Sequence, residues 1–94
     1  MVHYSISNEQ QILVNNITNL GFSFEGKDVV SDNIHYLCFT KNSNSVNIPY
    51  VRDEKNLDAV IIEVGDTFEG DIHFDTETEF LEFISNDNNF QTLK

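Results

Sequence analysis

Cations are scarce in this chain. Lysine and arginine together number five, against sixteen aspartates and glutamates, for a formal net charge of -11 over 94 residues. A nucleic-acid binder needs a basic patch to neutralise phosphates, so this balance argues against direct DNA or RNA binding. Anionic membranes are disfavoured for the same reason. The partners it favours are cationic: a basic protein, a metal ion, or a protein surface that normally holds nucleic acid.

Cysteine occurs once, at Cys38, which rules out an internal disulfide and suits a reducing compartment. The opening stretch MVHYSISNEQQ has no cationic region followed by an apolar run, and no apolar stretch approaches bilayer length. The expected localisation is therefore cytoplasmic. There is no Gly-rich phosphate loop, and no serine or threonine sits in a nucleophile-elbow context. No cofactor is expected, and the protein is not expected to be an enzyme.

What is present is enough to fold. The chain is 39% hydrophobic and holds eight phenylalanines, unlike the composition of disordered segments. Residues 1–94 read as one domain. SNEQQILVNNITNLG has the spacing of a helix, with Ser7 as N-cap, Gln10 as its capping-box partner, and Leu13, Ile17 and Leu20 as the buried stripe. Gly21 suits the left-handed position that closes it.

Alternation then takes over. Phe22 and Phe24 share a face of a short strand, EGKD reads as a turn, and NIHYLCFTK is the longest strand candidate. In it Ile34, Tyr36 and Cys38 share one face and His35, Leu37 and Phe39 the other. NSNS is a turn, and VNIPYV is a strand that Pro49 assigns to a sheet edge, protected from strand addition. LDAVIIEV reads as a central strand by its branched residues. A three-residue loop, Gly65-Asp66-Thr67, then pairs it with FEGDIHF so that Val64 faces Phe68, Glu63 faces Glu69 and Ile61 faces Asp71. DTETEFLEFISN changes to a helical period, capped at Thr76 with Glu79 completing a second capping box and Phe80, Phe83 and Ile84 buried. Residues 87–94 read as a loose tail. The expected fold is α+β: an antiparallel sheet of four to five strands with an N-terminal and a C-terminal helix on one face, in the order α-β-β-β-β-(β)-α.

The negative charge is uneven. Residues 1–55 hold six acids and four lysines or arginines, whereas residues 56–93 hold ten acids and neither cation. Individually, these acids have ordinary uses. Glu77 and Glu79 complement the positive end of a helix, Asp66 suits a turn, and Asp75 can assist capping. Collectively they suggest a surface, because like charges directly opposed across a sheet destabilise it by up to about 1 kcal/mol. Such a conflict is expected where function competes with folding. The candidate partner-binding residues are Glu63, Glu69, Asp71, Asp75, Glu77, Glu79 and Glu82, with Ile61 adding an apolar element. Tyr4, Tyr36 and Tyr50 are candidate interface anchors, though each equally suits an ordinary strand.

Other chemistry is weaker. His73 between Asp71 and Asp75 resembles a carboxylate-oriented base, but i and i+2 on one strand need not touch. Asp75, Glu77 and Glu79 are calcium-type ligands without the glycine and distal glutamate of a calcium loop. Cys38 with His3, His35 and His73 lacks zinc spacing. The function expected is therefore a small acidic inhibitor that binds protein, of the immunity-protein class, covering the cationic site of a basic nuclease-type toxin. The alternative is a phage-type nucleic-acid mimic acting on a host defence or DNA-binding protein. A small metal-binding module or enzyme comes last.

Overall fold

The computed structural model describes residues 6–52, 54–65 and 67–91, with the side chains of 67–70 outside that description. Helix α1 spans Asn8–Thr18. Its capping box closes as the sequence predicts: Gln10 N–H donates to Ser7 Oγ at 3.1 Å, and Ser7 N–H donates to Gln10 Oε1 at 2.9 Å. Asparagines at 15 and 16 each cost the helix a few tenths of a kcal/mol. Burial of Leu13, Val14 and Ile17, at about 1.5–3 kcal/mol for each large side chain, outweighs them. The chain then turns at Gly21, whose φ of 98° is left-handed.

Strands β1 (Ser23–Val29), β2 (Ile34–Lys41), β3 (Asn44–Val51), β4 (Glu54–Lys55), β5 (Val60–Val64) and β6 (Thr67–Ile72) follow, with a 3-10 turn at Leu57–Ala59 before β5. They form one antiparallel sheet ordered β1-β2-β3-β5-β6, with β4 paired to β3 beside β5. Helices α2 (Glu77–Ser85) and α3 (Asp87–Gln91) end the described chain. This is the small α+β domain expected from the sequence. Leu37, Phe39, Val46, Ile48, Tyr50, Val60, Ile62 and Val64 form one face of the sheet. Leu13 and Ile17 of α1, Phe80 and Ile84 of α2 and Phe90 of α3 join them in one core. All the helices lie on that face.

Six local expectations are corrected. EGKD is not a turn, because β1 runs through it with a bulge between Phe24 and Gly26. Gly26, at φ 116°, supplies the backbone angle the bulge needs. The NSNS turn shrinks to Asn42 and Ser43, at φ 51° and 69°, while Asn44 and Ser45 open β3. That is the backbone of a tight two-residue hairpin.

Pro49 lies within β3, which is paired on both sides and is not an edge. Along β3, N–H groups point alternately toward β2 and away from it. Arg52 N–H donates to Asn33 O beyond the end of β2, so odd-numbered Pro49 turns its ring nitrogen the other way. There it falls between the residues paired to β5 and those paired to β4, where no ladder donor is required.

Thr67 belongs to β6 opposite Val64, so the β5–β6 loop is Gly65 and Asp66 rather than three residues. Asp66 itself lies outside the described residues. Ile61 does face Asp71, but Glu63 faces Phe68, because the register slips by one between Ile61 and Glu63. The like-charge pair expected between Glu63 and Glu69 therefore does not form. Finally, residues 87–91 are not a loose tail. They form α3, and Phe90 is fully buried there against Phe22 and Phe83. Residues 92–94 lie outside the described chain.

Candidate functional site

The face of the sheet away from the helices carries no covering layer among the described residues. Registered pairs place Asp28, Tyr36 and Pro49 together across three strands, then Gly26, Cys38, Asn47, Ile61 and Asp71 across five. Thr40, Ser45 and Glu63 complete the end nearer the hairpins, and Glu54 lies opposite Val51 at the other. Thr40 Oγ1 donates to Glu25 Oε1 at 2.8 Å, which brings Glu25 to this face as well. Five acids thus surround Tyr36, Cys38 and Ile61: Glu25, Asp28, Glu54, Glu63 and Asp71. No lysine or arginine occupies a described strand position on the same face.

The bulge in β1 produces this charge pattern. With regular alternation from Phe24, Lys27 would lie opposite Tyr36 and Asp28 opposite His35. The extra residue instead sets Lys27 opposite Leu37, on the core-side face, and Asp28 opposite Tyr36. One glycine exchanges a cation for an anion on the open face. Plain alternation could not show this, and the only signal in the sequence is a glycine inside a strand pattern.

A shallow depression of about 240 Å³ lies in the middle of the face, lined by Asp28, Tyr36, Cys38, Asn47, Ile61 and Glu63. Its volume falls below the range of sites for drug-sized molecules, so it suits one inserted side chain better. The field there is negative. Burial pushes the Cys38 thiol up from its ordinary value, and the carboxylates of Asp28 and Glu25 push it further, against the pull of the Asp28 backbone. A neutral thiol in that field is a poor nucleophile. A wider cleft of about 530 Å³ at the β3–β4 turn is lined by Val51, Arg52, Glu54, Lys55 and Asn56. It holds two of the chain's five lysines and arginines and has mixed character.

The acids singled out from the sequence divide between two sides. Glu63 and Asp71 lie on the open face. The backbone of Glu69 runs in β6, and its side chain is outside the description. Asp75 lies in the connection from β6 to α2; Glu77, Glu79 and Glu82 lie on α2, in the helical layer across the sheet from Glu63. Several of these have local partners. Glu77 pairs with Lys55. Thr76 Oγ1 accepts from Glu79 N–H at 3.1 Å, and Glu79 Oε2 accepts from Asp75 N–H at 3.3 Å, one residue ahead of the expected capping-box contact. Asp75 Oδ1 is 2.6 Å from His73 Nε2, and Asp58 Oδ1 is 2.6 Å from His73 Nδ1. Both ring nitrogens are engaged, which leaves His73 no free lone pair for a general base; Asp58, not Asp71, is its second acid.

Glu25, Asp28 and Glu54 were missed because they lie in the half of the sequence where charges look balanced. Tyr36 does lie on the open face, whereas Tyr50 is in the core; Tyr4 is outside the described residues. Among the described residues, no group of three or more histidine, cysteine or acidic side chains is placed to hold a metal ion. No described helix is long and apolar enough to cross a membrane. Compared with known protein families, curated proteins and solved structures, the chain matches none.

Proposed function

We propose that this chain is a small acidic inhibitor of the immunity-protein class, which docks a basic, nuclease-type toxin on the open face of its sheet. One observation carries the reading: five carboxylates and no lysine or arginine on the described strand positions of an uncovered face, around a depression floored by Tyr36 and Ile61. A nuclease holds its substrate on a cationic surface, and an anionic face of this kind complements it. The depression takes one arginine or lysine side chain between Asp28 and Glu63. An aromatic ring beside that cation adds about 0.5–2 kcal/mol.

The size of the face sets its limits. Five strands about 4.8 Å apart, with about six residues each at 3.3 Å, give roughly 500 Å². A standard interface covers about 800 Å² per partner, so the rim at Glu54 and the β3–β4 turn is part of the contact. The α2 acids, on the far side of the sheet, act through long-range steering, which raises association rates most at low salt.

The test is capture on immobilised protein at low salt, elution with rising salt, and a nuclease assay on the eluted material. The expected partner has a high isoelectric point and nuclease activity that added protein suppresses. The variant carrying Asp28→Lys and Glu63→Lys keeps the fold and loses both capture and suppression. Equal capture by that variant would sink the assignment to this face. A captured DNA-binding protein without nuclease activity would favour a nucleic-acid mimic instead.

A further inference from the structure

We propose that His73, clamped between Asp58 and Asp75, is a pH-sensitive latch joining the 3-10 turn before β5 to the connection that starts α2. Both contacts are 2.6 Å, one at each ring nitrogen. Carboxylates only accept hydrogen bonds, so two such contacts require both nitrogens to carry protons. A neutral imidazole satisfies only one of them. The latch is therefore complete in the imidazolium form, and one arm opens when the ring loses its proton.

The two arms belong to different segments. Asp58 sits in the 3-10 turn, and Asp75 directly precedes the α2 cap Thr76. A neutral link joins the same segments: Phe74 N–H donates to Leu57 O at 2.8 Å. Deprotonation therefore loosens the junction without detaching it. Asp58 and Asp75 are the charged groups that face His73, and Glu79 stands behind Asp75 through its contact with the Asp75 N–H. No cation in these contacts opposes them. In keeping with this, the Asp75 hydrogen bond raises the His73 pKa above the ordinary histidine value of 6.5, against the opposing pull of desolvation, and Asp58 adds to the rise.

A raised pKa means that the contribution of the latch is fully present below pH 6.5 and is lost as pH rises through the higher folded-state value. His73 is exposed, so the effect is local. The proposal is independent of the binding reading and requires no partner.

The experiment is a proton NMR titration of the His73 ring together with amide exchange, corrected for its intrinsic pH dependence. In the wild type the ring is expected to titrate above 6.5. Asp75→Asn should lower the midpoint more than Asp58→Asn, and both together should return it to the ordinary range. Protection at the Phe74 and Glu79 amides should fall about threefold or more as the ring titrates, while the Ile48 amide in the core stays unchanged. In His73→Gln both junction amides should be flat across that range. A ring that titrates at or below 6.5, or junction protection that ignores the titration, overturns the latch.

Discussion

Lys41, at the end of β2, and Asp87, at the start of α3, form an ion pair with Nζ 3.3 Å from Oδ1. The same ammonium donates to Leu20 O at 3.1 Å and lies 5.5 Å from the centre of the Phe22 ring. One lysine thus ties together the exit of α1, the sheet and the last helix. The contributions are unequal. Asp87 is 57% exposed, and exposed ion pairs are worth about 0–1 kcal/mol. The bond from the partly buried ammonium to a carbonyl is worth about 1.5–3 kcal/mol. Lys41→Met, which keeps the stem against Phe22, is therefore expected to cost about 1–3 kcal/mol in urea unfolding. Asp87→Asn is expected to cost less than about 0.5 kcal/mol. Equal losses would show that the ion pair, rather than the Leu20 contact, dominates.

Gly26 isolates a backbone effect. Its φ is 116°, and a Cβ built there meets no atom within 4 Å. Gly26→Ala introduces no clash, yet it forces an L-residue into a region that costs about 1–3 kcal/mol. That loss is expected in chemical denaturation with the core unaltered. Deleting Gly26 has a different consequence. It removes the extra residue, so β1 can pair in regular alternation with Glu25 opposite Cys38 while Lys27 stays opposite Leu37 and Asp28 opposite Tyr36. NMR contacts between the Asp28 and Tyr36 backbones kept in the deletion variant would verify that the bulge closes without a shift, and their loss would mean that the pairing of β1 slides instead.

The same bulge marks the limit of what could be read beforehand. The helix caps at Ser7 and Thr76 were legible because capping depends on residues three positions apart in sequence. The two faces of β2 were legible because its alternation is uninterrupted. The open face was not, since a one-residue bulge sends every later side chain to the other side. The slip in the β5–β6 register likewise set Glu63 opposite Phe68 instead of its expected partner. Pro49 misled for a related reason: a missing donor matters only where the strand's alternation points it at a neighbour. Helix α3 was hidden because a single phenylalanine among asparagines has no periodicity to display.

That single phenylalanine gives a large effect. Phe90 is 0% exposed, with ring centres 6.2 Å from Phe22 and 5.9 Å from Phe83. Phe90→Ala removes a full side chain from a core with few routes to collapse and is expected to cost about 3–5 kcal/mol. A domain of this size holds only about 5–15 kcal/mol in total, so thermal unfolding followed by circular dichroism should show a large drop in Tm. Phe90→Leu should recover more than half of the loss. A variant that melts like the wild type would show that α3 does not close the core.

Tyr50 makes stability fall in alkali. Burial first, then the charges of Glu77 and Glu9, push its hydroxyl from an ordinary 10.0 up to about 12. The unfolded chain therefore releases this proton at lower pH than the folded chain does. Stability tied to the neutral phenol is whole below pH 10 and is lost as pH rises through about 12. An ultraviolet titration is expected to show a late phenol near 12, and Tyr50→Phe should remove it. Over that range the Tyr50→Phe protein should lose less stability per pH step than the wild type. Glu77→Gln should bring the midpoint down but leave it above 10, because burial is the larger cause. A midpoint unmoved by Glu77→Gln would place the α2 N-terminus too far from the ring to act on it.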